Sequence, residues 1–105
     1  MDRAWKVSNS GGAHYGIGFW CEGCEIPHVV ATSNGSEGPN GWDWNGSLEL
    51  PTLSPSILVN EHVDETGVVR VKRCHSFVKD GQIQYLGDCG HSLAGTTRDL
   101  TREAD

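Results

Sequence analysis

The chain has 105 residues, with 8 Lys and Arg against 14 Asp and Glu, for a formal net charge of −6. That length allows one domain, residues 1–105, whose modest core gains from cross-links. The acid excess argues against a nucleic-acid partner, since neutralising phosphates takes a basic face. The longest apolar stretches, such as Val29-Val30-Ala31 and Ile57-Leu58-Val59, are too short to span a bilayer.

Met1-Asp2-Arg3-Ala4-Trp5-Lys6 lacks the apolar run of a secretory signal, so the expected location is a cytoplasm, where thiols stay reduced. No window combines helical apolar spacing with freedom from Gly and Pro, and strands are expected throughout. Tyr15 to Trp20 and Pro27 to Thr32 flank Cys21-Glu22-Gly23-Cys24 and predict a hairpin whose tip is a metal knuckle. Ser33 to Asn45 reads as loop. Asn45-Gly46 predicts a two-residue turn from a short strand at Trp42-Trp44 into Ser47 to Leu50. Pro51 and Pro55 confine Thr52 to Ser56 to an edge or irregular path, and Ser56 to Val59 resumes a buried strand.

The sharpest signal is a hairpin over Val68 to Leu86, turning at Asp80-Gly81. With Lys79 opposite Gln82, Cys74, Ser76 and Val78 share a face with Ile83, Tyr85 and Cys89. His75 and Phe77 share the other with Leu86 and Asp88. Residues after Leu93 predict a last short strand or a frayed tail over about 98–105.

Cys21, Cys24, Cys74 and Cys89 match a tetrahedral Zn2+ site. Cys74-His75 and Cys89-Gly90-His91 leave mixed sets open, with His75 or His91 as substitute ligands. A set that leaves one position to water would be catalytic, with His75, Asp88 and His91 around an open zinc, as in a small hydrolase or peptidase. Trp42, Trp44 and Asn45 suit either core packing or a binding ridge of rigid aromatics for a protein partner. Thr52, Ser54 and Ser56 lie in no Gly-x-Ser-x-Gly or Ser-x-x-Lys motif, so a nucleophilic serine is not expected.

Phe19-Trp20-Cys21-Glu22-Gly23-Cys24, Trp42-Asp43-Trp44-Asn45-Gly46 through Pro51-Thr52-Leu53-Ser54-Pro55-Ser56-Ile57, Cys74-His75-Ser76-Phe77-Val78 and Gly87-Asp88-Cys89-Gly90-His91 cover about half the chain. In these pieces the chain resembles a family of small phage and prophage proteins of unassigned function. Members often carry the labels ammonia monooxygenase or anaerobic dehydrogenase, which no flavin, haem or iron–sulfur motif here supports. A looser similarity runs to a domain found beside bacterial ubiquitin-like conjugation genes and favours metal binding. Glu25 stands where the phage family looks to have Gly, which implies a strained left-handed turn at the knuckle.

Together these readings predict a mostly β, small single domain of antiparallel hairpins, in a sheet or sandwich cross-linked by zinc, with little or no helix. The expected role is a phage accessory protein in the bacterial cytoplasm, acting by binding a host or phage protein. A zinc hydrolase is the alternative.

Overall fold

A computed structural model describes residues 2–8, 10–33 and 41–101. Frequent turn formers cut the chain into short strands: β1 Ala4–Ser8, β2 His14–Cys21, β3 Ile26–Ala31, β4 Asp43–Trp44, β5 Leu53–Val59, β6 His62–Val63, β7 Val69–Val71, β8 Cys74–Lys79, β9 Gln82–Tyr85 and β10 Thr97–Asp99. Among the described residues there is no helix, and hence none long and apolar enough to cross a membrane.

The strands form a three-stranded sheet in the order β1-β2-β3, a five-stranded sheet β10-β9-β8-β5-β4 and the small ribbon β6-β7, all antiparallel. Ala4, Ile17, Phe19, Cys21 and Val30 of the first sheet meet Leu53, Ile57, Cys74, Val78, Ile83 and Tyr85 of the second in one buried cluster. Full burial of a side chain such as Phe19 or Ile17 contributes about 1.5–3 kcal/mol, so this interface is the principal apolar source of stability.

The hairpin β8-β9 has the expected register, with Lys79 opposite Gln82, Val78 opposite Ile83 and Ser76 opposite Tyr85. Asp80 and Gly81 both take positive φ, 50° and 79°, as a type I′ turn requires. Cys74, Ser76 and Val78 are buried, while His75, Phe77 and Lys79 are half-buried or exposed. The hairpin β2-β3 also forms as expected, from Gly16 opposite Ala31 to Cys21 opposite Ile26. Glu25 closes its knuckle with a left-handed φ of 60° and an N–H donated to Cys21 O at 2.7 Å.

Several expectations change. The hairpin arm predicted from Val68 begins only at Cys74, because Val69–Val71 pairs as β7 with β6. Ser47 to Leu50 is not a strand; β4 instead pairs Asp43 with Ser54 and Trp44 with Leu53. Asn45 holds the intervening loop, its Oδ1 accepting from Ser47 N and Thr52 N and its Nδ2 donating to Leu50 O. An Asn side chain thus takes the place of a paired strand. The end of the chain is ordered further than a frayed 98–105 tail: β10 pairs with β9, and Leu100 is buried with its N–H donated to Gly81 O at 2.9 Å. Residues 102–105, and 34–40 of the predicted Ser33 to Asn45 loop, lie outside the described residues.

Gly81 joins these ends, since a Cβ there would lie 2.8 Å from Arg3 Nη1 and 2.9 Å from Leu50 Cδ2. With the left-handed φ added, Gly81→Ala should cost about 1–2 kcal/mol, read as a lower urea midpoint at unchanged slope.

Candidate functional site

Side chains alternate across a strand, so β8 presents Cys74 to the core and His75 to the opposite face. Two clusters result, one on each side of this strand.

Inward, the knuckle between β2 and β3 brings Cys21 and Cys24 to Cys74, and the turn after β9 brings His91. The candidate ligand atoms of Cys21, Cys24, Cys74 and His91 all lie within 4.8 Å of one another. Cys21 Sγ and Cys74 Sγ are 3.8 Å apart, and Cys24 N donates to Cys21 Sγ at 3.3 Å. Bonding to Cys24 and Cys74 holds the Cys21 thiol far below its ordinary range. The contacts with Cys21 raise the other two, Cys24 to about 12, and Cys74 is also pushed up. The three thiols oppose one another's ionisation, and a divalent cation among them would let all ionise.

His91 is buried, and its Nε2 meets no hydrogen-bond partner among the described residues. A buried imidazole nitrogen beside three thiols is a costly arrangement that a metal ion would satisfy, so the residues fit a metal site. Leu93 N donates to His91 Nδ1 at 3.3 Å. A metal bond at Nδ1 would displace that contact, and one at Nε2 would need the ring proton on Nδ1. Gly23 makes the approach of His91 possible, because a Cβ at that position would overlap the imidazole.

Tyr85 supports the cluster and went unnoticed in the sequence. Its hydroxyl lies 3.4 Å from Cys21 Sγ and accepts from Gly23 N at 3.2 Å, and its ring meets His91 edge-on at 4.7 Å. Its position opposite Ser76 on the inward face was legible, but nothing local marked it as a partner of the thiols.

Cys89 falls outside the cluster. Its Sγ accepts from His75 N at 3.3 Å and donates to His75 O at 3.2 Å, which fixes the main chain of His75. The expected alternation ends with β9 at Tyr85. Beyond it, a turn closed from Cys89 N to Leu86 O, with Gly90 N bonded to Arg73 O, aims His91 inward in place of Cys89. His75 and Asp88 are likewise not grouped with His91, so the open zinc position expected from His75, Asp88 and His91 does not form among the described residues.

Outward, the structure assembles a different set. His75 Nδ1 lies 3.2 Å from Asp88 Oδ2, and His75 Nε2 lies 3.3 Å from Ser56 Oγ. A carboxylate only accepts, so the hydrogen-bond pattern puts the ring proton on Nδ1 and leaves the Nε2 lone pair facing the Ser56 hydroxyl. Arg73 donates to the same Asp88 oxygen from Nη2 at 3.0 Å and Nε at 3.2 Å, and this, followed by His75, holds the Asp88 carboxyl below its ordinary range. Ser56 reaches His75 because β5 shifts register between Leu53 and Ile57, where Pro55 sits in a cis peptide. Leu58 then lies opposite His75, leaving Ser56 as its diagonal neighbour on the same face. A hydroxyl, an imidazole and a carboxylate in hydrogen-bonded sequence are the parts of an activated nucleophile. The expectation that no serine is nucleophilic rested on local motifs, and this Ser-His-Asp contact is made across strands.

Trp42 and Trp44 pack partly buried against the core. Trp44 Nε1 donates to Ser47 O at 2.8 Å and its ring stacks on His14, while Trp42 Nε1 donates to Ser56 O at 3.3 Å.

Substitution separates the two cysteine and histidine roles. Metal content measured by inductively coupled plasma mass spectrometry should stay at about one ion per chain in Cys89→Ser. It should fall sharply in His91→Ala, with an affinity loss of at least about tenfold to a hundredfold.

No curated protein and no solved structure matches the chain. A family profile described as bacterial ubiquitination-like system serine protease (BubE) matches residues 2–86. That span contains Ser56, His75 and the three clustered cysteines, and stops before Asp88 and His91. On this match the chain belongs to the BubE family.

Proposed function

We propose that the chain is a serine peptidase of a bacterial ubiquitination-like system, with Ser56 as nucleophile, His75 as general base and Asp88 as the carboxylate that orients His75. The hydrogen-bonded run from Ser56 Oγ through His75 to Asp88 Oδ2 carries this reading, and the family's description supports it. The spacings of 3.2 and 3.3 Å are at the loose end of hydrogen bonding, as is common in a substrate-free site.

In the reaction, Ser56 Oγ attacks the scissile carbonyl carbon as its proton passes to His75 Nε2. The imidazolium, held by Asp88, then gives that proton to the departing amine as the C–N bond breaks. An acyl-Ser56 ester remains. Water attacks the ester with His75 again taking the proton, and the carboxylic acid product leaves as Ser56 regains its hydrogen.

Zn2+ suits the three-sulfur, one-imidazole set of Cys21, Cys24, Cys74 and His91. With four protein ligands it would supply a cross-link and no open position, so its role in this reading is structural. The protein partner expected from the sequence becomes the polypeptide that is cut, in the cytoplasm of a bacterial cell.

A fluorophosphonate probe should label the wild-type chain on Ser56, located by peptide mass spectrometry, and fail to label Ser56→Ala. Ser56→Ala and His75→Ala should each lower peptide hydrolysis by at least about a thousandfold. Asp88→Asn should lower it by a hundredfold or more, because an amide at that position permits the wrong imidazole tautomer. Wild-type turnover in the Ser56→Ala chain would overturn the assignment.

A further inference from the structure

Two sheet edges face one another next to Ser56. β3 is the last strand of its sheet, and β5 pairs with β4 only at Leu53 and Ser54. The stretch from Ser56 to Val59 therefore has no strand on its side away from β8 among the described residues.

Hydrogen-bond alternation fixes which groups point into this gap. Thr32 N donates to Tyr15 O of β2, whereas Ala31 O accepts from Trp42 N on the other side. Ala31, and with it Val29 and Pro27, therefore turn their main-chain groups away from β2. Pro27 fits this side, since proline is tolerated where a strand's N–H faces no neighbour. On β8, His75 O accepts from Leu86 N on the β9 side, so the main chain of His75 turns away from β5; its opposite residue Leu58, and with it Ser56, therefore turn their main-chain groups away from β8. Ser56 O duly accepts from Trp42 Nε1.

Trp42 thus clasps both edges, by its main chain to β3 and its indole to β5. Beside it lies a cavity of about 420 Å3, lined among others by Tyr15, Val29, Trp42, Leu58 and Val59. That volume is in the range of ligand-binding clefts. Val29 and Leu58 are 47% and 44% exposed, large values for apolar side chains.

We propose that the substrate enters this gap as an extended segment, adding a β-strand along the Leu58 and Val29 edges, with an apolar side chain held among Tyr15, Val29, Trp42 and Leu58. The proposal rests on Ser56 being the nucleophile. Ser56 and Leu58 lie two apart on one strand, so their side chains share a face, and a chain paired along Leu58 passes the Ser56 hydroxyl. Main-chain pairing supplies affinity for any sequence, and the apolar lining supplies selection for a hydrophobic residue beside the cut.

The test uses the 15N-labelled Ser56→Ala chain with reduced, carboxymethylated casein as an unfolded polypeptide probe, and amide exchange followed by NMR. Saturating casein should slow exchange of the Val29 and Leu58 amides by tenfold or more. Val29→Pro, which removes one outward N–H without removing a β2-β3 bond, should weaken casein binding by tenfold or more. No protection at these amides, or protection confined to another surface, would overturn the proposal. So would protection that appears without casein and grows with protein concentration, since a second copy would then be the occupant. Casein hydrolysis surviving in Ser56→Ala would instead refute the nucleophile, whatever the edges bind.

Discussion

The alternation of side chains along β8 is the constraint on which the rest of the molecule depends. Consecutive residues of a strand point to opposite faces, so Cys74 and His75 belong to two sites that share one backbone. Cys74 joins the buried Cys21, Cys24 and His91, and His75 joins Ser56 and Asp88 on the exposed side. The segment after β9 repeats the arrangement, with Asp88 outward and His91 inward. Between them, Cys89 grips the main chain of His75 from both N and O. Whatever closes the inner cluster therefore fixes β8 relative to residues 88–91, which is also the relation that sets His75 against Asp88.

A chain of this size has little apolar surface to spend on such fixing. Its core is one layer between two sheets, and the first sheet contributes the knuckle whose two thiols meet Cys74 across that layer. A metal-filled cluster would tie β2 and β3 to β8 and to the segment after β9, joining residues up to 70 positions apart. Cross-linking of this reach removes most freedom from the unfolded chain, and metal binding becomes part of the folding free energy. Trp42 makes a second, weaker connection between the sheets through Ala31 O and Ser56 O.

What could be read from the sequence follows the range of the signal. The hairpin β8-β9 was legible because Asp80-Gly81 sets its register and alternation carries that register along both strands. Cys21 and Cys24 were legible as a knuckle, and Cys74 as an inward residue. The fourth partner was not, because alternation was carried past Tyr85 into a turn, where hydrogen bonds from Cys89 N and Gly90 N govern direction. His91 stood only among the substitutes. Ser56 was harder still. Its contact with His75 depends on the pairing of β5 with β8 after an irregular stretch around Pro55, a register no local motif encodes. Known serine motifs describe particular chain orders and particular turns, whereas the order here is Ser56, His75, Asp88 on adjoining strands and a following turn. Such a set is recognised by geometry and roles.

Arg73 sharpens the electrostatic argument. Its pair with Asp88 is 43% exposed on both sides, and pairs of that kind add little to stability. Its effect is on charge and orientation: Nε and Nη2 both hold Asp88 Oδ2, the oxygen that also accepts from His75. With Arg73 present, the group Arg73, Asp88 and neutral His75 has no net charge before the proposed attack. When Ser56 gives up its proton, His75 becomes cationic as the carbonyl oxygen becomes anionic, so the charge that develops is a matched pair. Without Arg73, the resting site would keep the uncompensated negative charge of Asp88 beside His75. The same positive neighbour also draws on the carboxylate that stabilises the imidazolium. In this site Arg73 therefore provides a neutral resting state and a fixed carboxylate.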